Sequence, residues 1–386
     1  MKNKACIISY NNWWDKRLHL YDEWLRERSF CVDYITADFN HFTKEYYNKN
    51  QFPNTTKFVH VPWYKKNLSL RRIYSHIFFS LKVLAICLKE KPMVIVGVLP
   101  CNSLGIVLWV YKKIFKKTKL VIDVTDMWPE SLPYVTIKRW LYPVMLLWKS
   151  LRSIGIDAAD QIVCECDLFS ETIGINGKKN VTTIYLSSDE YLSKNEVNID
   201  ISEQLNIAYL GSINHIIDID GIVKLLTILK LHKKIDLHIV GGGASCQELI
   251  ERTKKIGISV HWHGMIFNRI KTMKILSRCH FGLNMMKKSV FVGLTTKSID
   301  YTSVGLPMFN NIPKDSKLLI ERYGAGFNLI SDMDIRAIGM KIECLSNKEY
   351  FNMREGAKKM FRENFSNGAI KNRVNEALCK LDFSCE

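Results

Sequence analysis

Five short, strongly apolar stretches punctuate this chain: Ala5 to Ile8, Met93 to Val98, Leu120 to Val124, Ile207 to Leu210 and Leu237 to Val240. Segments of that length and composition are strands covered on both faces, and such strands belong to parallel sheets flanked by helices. Longer stretches of helical period lie between them. Asp15 to Arg28 places Leu18, Tyr21, Trp24 and Leu25 on one side, and Ile222 to Leu231 follows the opening strand of the second half. A βαβ pattern is therefore run twice. Residues 187–204, SSDEYLSKNEVNIDISEQ, are polar and acidic and read as the linker between the two runs.

The expected architecture is α/β: two facing Rossmann-like domains with the active site in the cleft between them, because ligands of open parallel sheets bind beyond the carboxyl ends of the strands. The boundaries are 1–190 for an acceptor- and membrane-facing N-terminal domain, 187–204 for the linker, and 205–365 for a C-terminal domain that binds the nucleotide. Residues 366–386 form an amphipathic helix expected to pack back toward the N-terminal domain.

The 11 Cys include no CxxC pair and read as reduced thiols. The opening MKNKACIISYNNWW has too short an apolar run for a secretory signal, and no apolar run reaches the roughly 18 to 20 residues of a spanning helix. A cytoplasmic location is expected. The 55 Lys+Arg exceed the 38 Asp+Glu, a net charge of +17, which biases the protein toward anionic partners.

In the second half, FVGLTTKSIDYTSVGLPMFNN (residues 291–311) brings a Gly-containing loop to a helix starting at Thr295 or Thr296. Free N–H groups and the positive end of the helix dipole suit a phosphate, with Lys297 as a mobile charge. Asp300, one turn on, is placed to accept hydrogen bonds from ribose hydroxyls. The competing reading is a Thr cap, a solvated lysine and a helix ended by Gly305-Leu306-Pro307. Gly241-Gly242-Gly243 lacks dinucleotide spacing and reads as a flexible βα turn. His261 and His263 share a face of a strand with no third ligand in sequence, and read as structural; no metal and no cofactor is expected.

In the first half, KLVIDVTDMWPESLP (residues 119–133) ends a strand in Asp123, Asp126 and Glu130, with Trp128 and Pro129 between them. Asp126 and Glu130 are the candidate catalytic acids; an Asx-type turn with Glu130 as a cap is the alternative. Residues 51–150 hold 16 Lys and Arg against four acids. The clusters Lys65-Lys66, Arg71-Arg72 and Lys112, Lys113, Lys116, Lys117 are interleaved with Trp63, Tyr64, Tyr74, Phe78, Phe79, Trp109, Tyr111 and Phe115. Basic residues mixed with aromatics suit an anionic membrane surface; ordinary solvated helix faces are the close alternative, and nucleic acid a distant one.

IAYLGSI, LHIVGGG, ISVHWHGMI and above all TTKSIDYTSVGLP resemble the retaining GT-B glycosyltransferases of the family-four type. The resemblance implies a nucleotide-sugar donor held by Gly211 and Ser212 near the diphosphate, by the backbone around Gly264 and Met265 against the base, by Lys297 near phosphate, and by Asp300 on ribose; the helix start at Thr295 and Thr296 completes the expected donor site. Where that family carries Glu-x7-Glu, this chain has Val292 and Asp300; its loop GSINHIIDID also lacks the family's Arg and Lys. The diphosphate then depends more on Lys297 and the helix N–H groups. D-x-WP-E stretches are similar in bacterial surface-polysaccharide transferases of the O-antigen and capsule type. The resemblance therefore implies hexosyl-type transfer (EC 2.4) to a polyprenyl-diphosphate-linked glycan, with the protein peripheral at the inner face of the cell membrane. Trp13, Trp14, Arg71, Arg72, Lys112, Lys113, Lys116 and Lys117 are the expected acceptor and membrane residues. A GT-B-type sugar-nucleotide epimerase and a non-catalytic nucleotide- or membrane-binding protein are the alternatives.

Overall fold

The computed structural model describes residues 3–11, 15–131, 142–191 and 200–381. Trp13 and Trp14, and the stretch 192–199 of the expected linker, lie outside them. The chain divides into two compact units, Met1–Tyr185 with Lys371–Glu386, and Leu186–Ile370.

The first unit is built on seven strands: β1 (Lys4–Ser9), β2 (Cys31–Ala37), β3 (Thr56–Val59), β4 (Val94–Leu99), β5 (Lys119–Val124), β6 (Gln161–Cys164) and β7 (Val181–Thr183). They pair in the order β3-β2-β1-β4-β5-β6-β7, every pair parallel. All six residues of β4 are buried, as are five of six in β1 and in β5, which is why these strands read as continuous apolar segments. The chain leaves β1 for one side of the sheet and returns at β4 on the other, so β1 and β4 flank the switch point where such sheets bind ligands.

Helices Leu70–Glu90, Asn102–Ile114 and Tyr142–Ala158 form a layer in which the middle helix packs on both others. Its crossing with the third helix is set by two glycines. A Cβ on Gly105 would lie 2.5 Å from the Leu151 carbonyl oxygen, and one on Gly155 2.5 Å from Gly105 Cα. Only bare backbones approach that closely.

The second unit repeats the plan with β8 (Gln204–Ser212), β9 (Lys234–Gly242), β10 (Ser259–Trp262), β11 (Phe281–Asn284), β12 (Met308–Asn310) and β13 (Gly326–Asn328), ordered β10-β9-β8-β11-β12-β13. Alternate residues of β8 serve opposite faces. Leu205, Ile207 and Tyr209 enter one apolar cluster while Ala208 enters another with Met273, Tyr301 and Met308. Residues 188–190 dock on this unit, where Ser188 N–H donates to the Phe365 carbonyl and Arg362 pairs with Glu190 at 2.8 Å. The last helix, Asn367–Leu378, sends Lys371 to Glu23 at 2.7 Å and Arg373 to the Thr183 carbonyl at 3.2 Å, both in the first unit.

A buried ion pair clamps helix Asp15–Glu27 to the sheet. Arg17 Nη1 donates to Asp123 at 3.0 Å and Nη2 to the Ile184 carbonyl, while Tyr21 hydroxyl donates to the other Asp123 oxygen at 2.8 Å. Asp123 has no exposed surface and Arg17 almost none. Removing one partner strands the other charge in the core, so Arg17→Met is expected to destabilise the first unit by about 3 to 5 kcal/mol. Urea unfolding of the parent and variant measures this; a loss below about 1 kcal/mol would mean the pair contributes little.

Candidate functional site

In the second unit the candidate donor residues meet at the carboxyl ends of β8, β9 and β11. Gly211 and Ser212 pair in register with Gly241 and Gly242. Gly241 has φ +150°, and a Cβ there would sit 2.0 Å from the Gly211 carbonyl oxygen, so this Gly-rich stretch is a tightly paired strand end rather than the flexible turn read from sequence. Gly241 N–H donates to the Gly264 carbonyl at 2.8 Å, and a Cβ on Gly242 would meet Met265 Cγ at 3.3 Å. Gly264 and the exposed Met265 thereby join the same end of the sheet.

The helix Thr296–Ser303 begins beside them. Thr295 is its N-cap, its hydroxyl accepting from Ser298 N–H at 3.3 Å and donating to Asn284 Oδ1 at 2.7 Å. Asn284 is the first member of a ladder. Its amide donates to Asn310 Oδ1 at 2.8 Å, and that of Asn310 to Asn328 Oδ1 at 2.8 Å, across the in-register ends of β11, β12 and β13. Among the described residues the N–H groups of Thr296 and Lys297 have no acceptor, which leaves the helix start open to an anion.

Lys297 Nζ donates to Tyr209 hydroxyl at 3.0 Å and lies 4.3 Å from the centre of its ring; Tyr209 in turn donates to the Ser212 carbonyl at 2.9 Å. No carboxylate pairs with Lys297 among the described residues. Burial without a counter-charge pushes its pKa down to about 8. Asp300, by contrast, accepts from Arg269 Nη1 at 2.6 Å, and Arg269 Nη2 reaches the Asp189 carbonyl at 3.0 Å. Tyr209 and Arg269 had no sequence signal, since one sits inside an apolar strand and the other in a separate helix.

In the first unit the three carboxylates in and just after β5 part company. Asp123 belongs to the Arg17 clamp. Glu130 is gripped by both terminal nitrogens of the buried Arg152, one at 3.0 Å, and by Lys149 at 3.2 Å, which holds its pKa below the usual carboxylate range. Asp126 alone has no cation at salt-bridge distance among the described residues. Burial raises its pKa, opposed by hydrogen bonds from Ser131 and Met127 N–H and by the Arg72 charge. Asn102 steadies the loop, its amide donating to the carbonyls of Trp128 and Trp148 at 3.1 Å each.

The basic and aromatic residues divide as well. Tyr64, Phe79 and Tyr111 are core residues, whereas Trp63 and Tyr74 are exposed. Arg71 faces solvent, while the half-buried Arg72 lies 5.4 Å from the Trp128 ring centre. Lys112 is bound to Asp160 at 2.5 Å and to the Thr118 carbonyl, whereas Lys113, Lys116 and Lys117 are exposed. Helix Leu70–Glu90 shows solvent an apolar stripe of Leu70, Tyr74, Ile77, Leu81 and Leu88, and helix Tyr142–Ala158 exposes Leu146 and Leu147.

His261 and His263 do have a neighbouring histidine, contributed by β9. His238 Nδ1 is 3.2 Å from His263 Nε2, and its ring stacks on His261 at 4.7 Å. The rings stack rather than converge, and no group of three His, Cys, Asp or Glu among the described residues has the geometry of a metal site.

No family model and no curated protein matches the chain. Solved structures are similar over nearly its whole length. HepE of Anabaena, in complex with UDP, aligns with a TM-score of 0.66 at 12% identity, covering 99% of this chain and 100% of that one. The lipopolysaccharide outer core galactosyltransferase WaaB aligns at 0.66 and 12%, covering 97% and 99%. A candidate UDP-N-acetylglucosamine 2-epimerase from Listeria monocytogenes aligns at 0.57 and 10%, covering 98% and 96%. The likeness establishes the fold: two Rossmann-like parallel sheets of the GT-B class.

The state of Lys297 yields a test that separates binding from folding. Its pKa falls from 10.5 to about 8 on folding, so the unfolded chain holds that proton over the interval between and the folded chain does not. The parent therefore gains stability as pH rises from about 8 to 10.5. Lys297→Met is expected to lack that gain and to be at least as stable as the parent at pH 7, as befits a group kept for a ligand rather than for folding. Thermal melts across pH check both; a variant destabilised at pH 7 would make Lys297 a structural residue.

Proposed function

We propose that the protein is a hexosyl-type glycosyltransferase that moves a sugar from a nucleotide-sugar donor to a polyprenyl-diphosphate-linked glycan, with retention, in O-antigen- or capsule-type polysaccharide synthesis at the inner face of the membrane. The observation that carries the donor half is Lys297, a desolvated ammonium next to two helix N–H groups and the glycine-lined ends of β8 and β9, with neither a carboxylate for the ammonium nor an acceptor for the N–H groups among the described residues. Such a cradle suits a diphosphate, and it is placed to stabilise the charge that develops as the diphosphate leaves. Asp300 keeps one oxygen beyond its Arg269 bond for a ribose hydroxyl. The fold shared with HepE, solved with UDP, and with the galactosyltransferase WaaB supports the donor class.

Asp126 is assigned to the acceptor. In front-face retaining transfer the sugar–phosphate bond breaks, the acceptor oxygen bonds to the same carbon, and the departing diphosphate takes the acceptor proton. Asp126 then orients the hydroxyl, and Glu130 holds the loop. The exposed apolar stripe of helix Leu70–Glu90, with Lys82 and Lys89 on the same helix and Lys113, Lys116 and Lys117 nearby in sequence, supports a membrane-facing surface for a lipid-linked acceptor. Among the described residues no helix is long and apolar enough to cross a bilayer. The epimerase reading draws on the Listeria structure, and it predicts turnover of the nucleotide sugar without any acceptor.

Calorimetric titration with UDP, GDP, dTDP and CMP is expected to find one tight diphosphate. Lys297→Met should weaken it by about 1.5 to 3 kcal/mol. Asp126→Asn should bind it like the parent yet transfer sugar at least tenfold more slowly, and should lose the limb of the pH–rate profile that rises above the ordinary carboxylate range. Normal transfer by Asp126→Asn removes the carboxylate from the mechanism. On the membrane side, flotation with anionic vesicles should weaken with salt. Leu70→Glu with Leu81→Glu should abolish it while leaving nucleotide affinity intact; undiminished flotation would end the membrane reading.

A further inference from the structure

A second group of basic side chains, with no carboxylate at salt-bridge distance among the described residues, lies within the first unit, around the wholly buried Tyr64. Its hydroxyl is 2.8 Å from His41 Nδ1 and also meets Tyr10 and Arg72; Tyr10 hydroxyl is 2.7 Å from Ser75 Oγ. Lys44 Nζ sits 4.9 Å from the Tyr64 ring centre, bonded only to neutral oxygens of His41 and Asn67. Lys44 holds that place from a left-handed backbone, φ 64°, an arrangement a non-glycine residue adopts at a cost. Arg72 reaches the Asn67 carbonyl at 3.3 Å, one helical turn before His76.

Two polar atoms here are buried with no hydrogen-bond partner, Arg72 Nε and Nδ1 of the nearly inaccessible His76. Such orphans are rare in folded proteins and call for a partner. The cluster also repels itself: burial, with Arg72 and Lys44, pushes His41 down to about 4, and burial with Arg72 lowers Lys44 and His76. Asp126 is the acid that feels Arg72, and no carboxylate lies at salt-bridge distance from Arg72 or Lys44 among the described residues. The N-terminus of the 21-residue helix Leu70–Glu90, capped by Ser69, adds its dipole.

We propose that Arg72, Lys44, His41 and the Tyr64 hydroxyl form an anion subsite in the first unit that takes a diphosphate. A multiply charged, oxygen-rich group would relieve the repulsion and engage a fixed guanidinium fork, a point charge and phenolic donors together. Its assignment as the diphosphate of the lipid-linked acceptor rests on the transferase reading; the subsite itself does not.

The experiment is calorimetric titration of inorganic pyrophosphate into the Lys297→Met protein, in which the other phosphate cradle is disabled. Pyrophosphate should still bind, and adding Arg72→Gln or Lys44→Gln should each weaken it at least tenfold, with Arg72→Lys intermediate. Lys44 lies on a surface loop, so that variant reports even if Arg72→Gln misfolds. Tighter binding of farnesyl diphosphate than of pyrophosphate assigns the site to a lipid source, and equal binding assigns it to a soluble diphosphate. Absence of pyrophosphate binding to Lys297→Met, or binding indifferent to both added substitutions, overturns the subsite. A protein that binds pyrophosphate here but turns over no nucleotide sugar keeps the subsite and refutes the transferase reading.

Discussion

The central strands of both sheets are parallel and covered on both faces, so polar chemistry has nowhere to go but their ends. Each unit obeys this. In the first, Tyr10, Asp126 and Glu165 follow β1, β5 and β6; in the second, Ser212, Asn284 and Asn310 close β8, β11 and β12. The apolar segments that define the fold thus also confine the sites. Whatever ligand specificity the protein has must come from loops and helix starts attached to those ends.

Charge compensation sorts these end residues into two kinds. Asp123 with Arg17, and Glu130 with Arg152, are buried charges satisfied from within the chain. Lys297, Asp126 and the Arg72–Lys44 cluster carry the cost of desolvation without an ion-pair partner among the described residues. Groups desolvated in this way, without a partner from the chain, concentrate at functional sites. Glu165 belongs with them: its buried Oε2 has no hydrogen-bond partner among the described residues, and burial pushes its pKa up to about 8.

The strands, the helix capped by Thr295 and the position of Asp126 were legible because each depends on residues adjacent in sequence. What could not be read was pairing. Lys297 and Tyr209 are 88 residues apart, Arg269 and Asp300 are 31 apart, and Arg152 and Glu130 are 22 apart. Those contacts follow from strand order and helix placement, which a one-dimensional pattern does not specify. His238 shows the same limit: parallel register sets it opposite His261, while in sequence it stands among apolar residues. Lys112 and Arg72, each beside a basic neighbour, could not be told from solvated charge until Asp160 and Trp128 were placed against them.

The asparagine ladder under the helix start is oriented one way. From Thr295 through Asn284 and Asn310 to Asn328, each group donates to the next, and the last amide ends on the Lys317 carbonyl at 3.1 Å. Turning the Thr295 hydroxyl toward a bound anion would leave an oxygen of the ladder empty, and flipping one amide would set donor against donor further along. The hydroxyl is therefore a committed cap with no vote in ligand choice. The donors left open at this end of the sheet are backbone N–H groups and one ammonium, which register charge and shape; telling one carrier of that charge from another would fall to neighbours such as Asp300 and the backbone around Gly264 and Met265.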